Sequence, residues 1–116
     1  MRRVIACLVS ATLPLGLGAQ EKAGEPVKEK ERPVTELIDL VGCTLCHQTD
    51  NRILGPSFKE VATKYKGYKE KDPEALGRVA ERILKGSKGA WGDVAMPPNN
   101  VKPEEAKRIA EWVLAR

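Results

Sequence analysis

Cys43, Cys46 and His47 stand in the run Cys43-Thr44-Leu45-Cys46-His47, two thiols three residues apart with an imidazole beside the second. That order suits covalent attachment of a haem. The thiols add across the two vinyl groups on one porphyrin edge, each closing a thioether, and the adjacent histidine then lies under the iron. Competing chemistries lack their other parts. A structural zinc site wants four ligands, and outside the N-terminal segment that holds Cys7 the chain has two cysteines and a single histidine. A thioredoxin-like pair belongs in a βαβ setting, which this sequence does not offer. A disulfide across so short a loop would restrain almost nothing.

His47 is the only histidine. A second histidine ligand from the same chain is therefore excluded, and the sixth position falls to methionine, lysine, water or nothing. Of the two methionines, Met1 belongs to the leader, which leaves Met96 in Ala95-Met96-Pro97-Pro98-Asn99. Methionine often serves as flexible core filler, but one fixed beside two prolines is better suited to a ligand held at set reach. Met96 is the expected partner of His47. Thioether sulfur favours ferrous iron and raises the potential. Two strong axial ligands also leave no open position for oxygen or peroxide. Such a site changes oxidation state without changing structure, which is electron transfer and not catalysis, so no enzyme is expected. A peroxidase or gas sensor with a labile sixth ligand is the alternative.

Four amphipathic stretches must position these groups, and no convincing strand accompanies them, so the expected class is all-α. Pro33 precedes Leu37, Ile38, Leu40 and Val41, which are expected to crowd one side of a short helix ending at Gly42. Ser57 opens a capping box with Glu60 after Gly55-Pro56, and Phe58, Val61, Ala62 and Tyr65 recur behind it at helical spacing. Asp72 as N-cap and Pro73 as first residue open a third helix, with Leu76, Val79, Ala80 and Ile83 on one face and Gly86 at its end. Pro103-Glu104-Glu105 starts the last, striped by Ala106, Ile109, Ala110 and Val113, although Lys102 is a poor N-cap. Residues 86–101, rich in Gly, Pro and Asn, form a loop long enough to carry a function.

The chain's 116 residues allow one small domain. Aromatic residues make up only 4%, so the core is thin, and a large flat apolar group would serve as its staple. The net charge of +4 includes Arg2 and Arg3; without them it is +2, which makes no case for nucleic acid. Residues 1–19 read as a secretory leader: Arg2-Arg3, an apolar run from Val4 to Leu17 too short for a comfortable membrane span, and small residues near a cleavage point around 18–20. The periplasm is the expected destination. Retained, the same segment would tether the domain to a membrane as a module of a larger complex. Residues 20–33 alternate Glu and Lys as a solvated linker or tail, and 34–116 form the haem domain.

From about Val34 to Arg116 the sequence resembles the small bacterial class I cytochromes c of the c-551/c-552 type. The likeness rests on Gly42 to His47, Gly55-Pro56, Gly86-Ser87-Lys88-Gly89-Ala90-Trp91-Gly92, Met96-Pro97-Pro98-Asn99 and Glu111-Trp112-Val113-Leu114. It implies a class I cytochrome c fold, four to five short helices wrapped around one covalently attached haem c. It also implies that the Pro56 carbonyl accepts a hydrogen bond from His47 Nδ1, which would fix the ring. By the same likeness Trp91 and Arg82 bind haem propionates, Asn99 donates to the Met96 sulfur, and Trp112 packs the last helix on the first. Ile38 stands where the family often has Phe, and residues around Tyr68 to Lys71 are extra. The implied role is a soluble, monomeric shuttle between redox proteins such as a cytochrome bc complex, a terminal oxidase or a nitrite reductase. Lys59, Lys64, Lys66, Lys69, Lys71, Lys85 and Lys88 outnumber nearby acids, a basic rim suited to steering an acidic partner.

Overall fold

Pro33 and Gly42 bracket the first helix, α1 (Val34–Val41), and Gly42 closes it in the left-handed conformation by donating its N–H to Ile38 and Asp39 carbonyls. The computed structural model describes residues 32–116; the leader read at 1–19 and all but the last two residues of the charged tail lie outside the described residues. Leu37 and Ile38 are buried, but Leu40 is 64% exposed, against the expectation that it shares their side. At about 100° per residue Leu40 sits roughly 200° round from Ile38, so burying one turns the other outward. A 3-10 turn, Cys43–Leu45, follows and delivers His47.

Helix α2 (Phe58–Lys64) begins as the sequence predicts. Glu60 N–H donates to Ser57 Oγ at 3.1 Å, and Ser57 N–H donates to Glu60 Oε2 at 2.7 Å. Phe58, Val61 and Ala62 are buried behind this box. The extra residues then form a single helical turn, α3 (Tyr68–Lys71), entered from Gly67.

Helix α4 (Ala75–Lys85) starts two residues later than expected, with Pro73 outside it. Asp72 closes α3 instead of capping α4, and its carboxylate is taken by Arg78. Val79 and Ile83 are buried as expected, with Ala75 beside them. Helix α5 (Pro103–Leu114) has proline in its first turn and Lys102 N–H donating to Glu105 Oε2 at 2.9 Å. The Glu105 carboxylate thus forms the one half of a capping box that a lysine at the cap allows, satisfying the cap's own N–H. Ala106, Ile109, Ala110 and Val113 are all buried, and α5 packs against α4, α2 and α1.

Trp112 is half-buried and meets Phe58 of α2 edge-on, ring centres 5.2 Å apart. It packs against the core that Leu37 and Ile38 of α1 share with α2 and α5, as expected of a core residue on the last helix. Arg108 donates to the Arg32 carbonyl, holding the end of the tail against α5. Among the described residues there are isolated bridges at His47–Arg52 and Ser87–Met96 but no strand, and no helix is long and apolar enough to cross a membrane.

Candidate functional site

A cavity of about 290 Å³ lies among α2, α4, α5 and the loops before α2 and after α4. It gathers Cys43, Cys46, His47, Pro56, Arg82, Trp91 and Met96 from across the chain, and among the sequence-predicted residues only Asn99 stays out of its lining. The remaining wall is mostly apolar, with Phe58, Val61, Val79, Ile83, Ile109 and Val113 turned toward it.

His47 reaches the cavity with its ring held. Its Nδ1 lies 2.7 Å from the Pro56 carbonyl oxygen. A carbonyl only accepts, so Nδ1 carries the proton and Nε2 keeps its lone pair for a metal. The ring stacks against Phe58 with centroids 5.7 Å apart. Gly55 is what permits the approach, since a Cβ there would sit 2.5 Å from His47 Cε1 and 2.8 Å from Nδ1. Cys43 and Cys46 are free thiols. Burial pushes the Cys43 thiol up, partly offset by a backbone hydrogen bond, with the Cys46 and Asp39 charges adding to the rise. It is therefore a neutral thiol near neutral pH.

Met96 is pinned through its main chain. Ser87 N–H donates to Met96 O at 3.0 Å and Met96 N–H to Ser87 O at 2.8 Å. This pairing changes the role of Asn99. The Ile83 carbonyl would ordinarily receive the Ser87 N–H in a continuing helix, but that donor is spent on Met96. Asn99 takes the place, donating from Nδ2 at 2.8 Å and from its backbone N–H at 3.2 Å. The amide also reaches Pro97 O at 3.4 Å. The Asn99 amide thus faces main-chain carbonyls.

Two neighbours of the predicted residues escaped the sequence. Tyr65 reads there as part of a helical stripe, yet its hydroxyl accepts from Arg82 Nη1 at 2.8 Å and both side chains line the cavity. Arg52 bonds the Trp91 carbonyl at 3.2 Å from 39 positions away. Its guanidinium carbon and Lys64 Nζ lie 5.8 and 4.4 Å from the Trp91 ring centre. No local pattern announces a contact at such separation.

The groups present fit a c-type haem. Two thiols, an imidazole with a free Nε2 and a thioether supply sulfur and nitrogen donors, while apolar walls suit a porphyrin face. Arg82 and the Trp91 indole supply a cation and an N–H donor suited to carboxylates.

The capping box beside the cavity carries a pH signature. The Ser57 N–H, and after it the Arg52 guanidinium, hold the Glu60 carboxyl below its usual range, with burial opposing them. A carboxyl lowered on folding adds stability above its unfolded value of about 4.3, lost as pH falls through the lower folded value. Denaturant midpoints measured across that acid range should fall less steeply in Glu60→Gln than in the wild type. Identical slopes would remove Glu60 from the acid response.

Of the seven mid-chain lysines, Lys59 pairs with Asp50, Lys85 pairs with Glu81, and Lys64 lies over Trp91. Among the described residues Lys66, Lys69, Lys71 and Lys88 make no ion pair.

The profile of the Cytochrome c family matches residues 35–116. The chain is 47% identical to cytochrome c-551 of Azotobacter vinelandii over 79 residues, 68% of this chain and 92% of that protein. It is 43% identical to cytochrome c-552 of Hydrogenobacter thermophilus over 80 residues, 69% of this chain and 78% of that one. The crystal structure of wild-type Nitrosomonas europaea cytochrome c552 superposes with a TM-score of 0.62 at 39% identity, covering 70% of this chain and 96% of that one.

Proposed function

This chain belongs to the cytochrome c family, and on that premise we propose that it is a periplasmic one-electron carrier whose haem c, bound covalently, has His47 and Met96 as axial ligands. The supporting observation is that these two side chains line one cavity and each is tied down by main chain, His47 through Pro56 O and Met96 through Ser87. When bound, the haem iron supplies a site that gains and loses one electron. The chain's part is to hold the site still. The Pro56 carbonyl fixes the tautomer and plane of His47. The Ser87 pairing and the Pro97-Pro98 run limit where the Met96 sulfur can go. Apolar walls from α2, α4 and α5 keep water back.

Arg82, oriented by Tyr65, and Trp91 would hold the propionates, and Cys43 and Cys46 the thioethers. Asn99 would act one step back, fastening the Met96 loop to the end of α4. A carrier of this kind needs only brief contact with its partners, and the unpaired Lys66, Lys69, Lys71 and Lys88 suit encounter with an acidic redox protein such as a bc complex, a terminal oxidase or a nitrite reductase. Cleavage of residues 1–19 would release the domain as a monomer.

The ferric wild type should show the far-red charge-transfer band of sulfur-ligated haem, and Met96→Ala should lose it. Ferrous Met96→Ala should then bind carbon monoxide much faster than the wild type. A wild type that binds it as fast as the variant has a labile sixth position, and the carrier reading falls to that of a gas-binding or peroxidase-like site.

A further inference from the structure

The loop after α4 is fastened at both ends but not at its tip. Its first end is the Ser87–Met96 pairing and its second is Asn99 on Ile83. Residues 88–95 between them make no backbone–backbone hydrogen bond among the described residues. Yet Gly89, Ala90, Trp91, Val94 and Ala95 form part of the cavity wall. Side chains from the other half of the domain hold this tip. Lys64 Nζ reaches Ala90 O at 3.5 Å, a weak contact, and Arg52 Nη1 donates to Trp91 O at 3.2 Å.

We infer that Arg52 is a positioning residue for Met96: it clamps the tip of the loop to the start of α2 and so slows any departure of the sulfur from the iron. Its anchor is well defined. Arg52 Nε donates to Glu60 Oε1 at 3.0 Å and Nη2 lies 3.0 Å from the same oxygen. Glu60 is itself held, since its other oxygen accepts the Ser57 N–H. The Arg52 main chain bridges to His47. One side chain therefore ties the His47 segment and the α2 cap to the loop that carries Met96. For Met96 to withdraw, the loop must swing out, and the tip must first release Arg52.

The geometry favours arginine. A planar guanidinium holds separate N–H groups toward Glu60 and the Trp91 carbonyl in one fixed fork, whereas an ammonium on a flexible stem must spend more side-chain freedom to reach both. The effect is bounded by exposure, because the Arg52 and Glu60 side chains are 45% and 39% exposed. Exposed charged contacts are individually modest, so a change of about three- to tenfold is expected, not a hundredfold one.

The inference rests on Met96 as the sixth ligand, and its test separates the two. The measurement is the rate at which imidazole, added in excess, captures the ferric haem protein at fixed pH. The wild type should be slow and Met96→Ala fast. Arg52→Ala should exceed the wild type by about fivefold, and Arg52→Lys should keep most of that gain. Leu37→Val, a core truncation on α1 outside the cavity lining, controls for general loosening and should stay near the wild-type rate. Arg52→Ala at the wild-type rate would overturn the clamp. So would Leu37→Val matching Arg52→Ala, because loss of stability would then explain the gain, and so would full rescue by lysine. A wild type as fast as Met96→Ala would overturn the ligand reading and the clamp with it.

Discussion

Replacing Cys43 and Cys46 together by alanine should abolish the haem band that survives denaturing electrophoresis and should also lower the stability of the fold. The first outcome is covalent chemistry: with no thiol to add to a vinyl group, no thioether forms. The second is a matter of packing. A space of about 290 Å³ left without its group exposes the apolar face of the core to water, and that exposure weakens the fold. A small domain has only about 5–15 kcal/mol to lose. Phe58, Val61, Val79, Ile83, Ile109 and Val113 all line this space as well as the core, so the walls and the hydrophobic core are the same residues. Each single variant keeps one thioether and should retain stain and helical circular dichroism. A double variant that stains at full wild-type intensity would refute the assignment of these thiols.

The parts of the site that were legible in the sequence are those built by short-range chemistry. Cys43, Cys46 and His47 announce themselves because one porphyrin edge dictates their spacing. Ser57 and Glu60 do so because a capping box spans three residues. Met96 comes forward as a candidate by elimination, since the chain has one histidine and one methionine after the leader, and it lines the same cavity as His47. Sequence and structure part where a local rule meets a tertiary competitor. Asp72-Pro73 has the form of a helix start, but Arg78 claims the carboxylate and α4 begins at Ala75. Leu40 fitted an apolar stripe that a helix of only eight residues does not need. Asn99 finds the Ile83 carbonyl because Ser87 has turned to Met96, a consequence of loop geometry that no motif encodes. Tyr65 with Arg82, and Arg52 with Glu60 and Trp91, were invisible for the same reason. Their meaning lies in pairings between separate elements.

Gly86→Ala should be the most damaging single substitution in the loop that carries Met96. Gly86 adopts φ 76° and ψ 177°, a region essentially reserved for glycine. An added Cβ would also lie 2.4 Å from Met96 O, 2.9 Å from Pro98 N and 3.0 Å from the Pro97 carbonyl carbon. These are main-chain atoms next to two prolines, which cannot yield as a flexible side chain would. The Ser87–Met96 pairing must therefore open, and Met96 retreats with it. Backbone strain of about 1–3 kcal/mol, together with the lost hydrogen bonds of roughly 1 kcal/mol each, predicts destabilisation of about 3–5 kcal/mol. Gly67→Ala separates strain from collision. Gly67, outside the cavity lining, has nearly the same φ, 74°, and a Cβ there would meet only the flexible end of the Lys71 side chain, at 3.6 Å. It should lose only about 1–2 kcal/mol and keep the far-red sulfur band. Denaturant titration with that band as a second readout distinguishes the two: Gly86→Ala should lose both stability and band. Equal losses in the two variants would mean that φ alone matters at Gly86 and that its contact with the Met96 main chain does not hold the ligand in place.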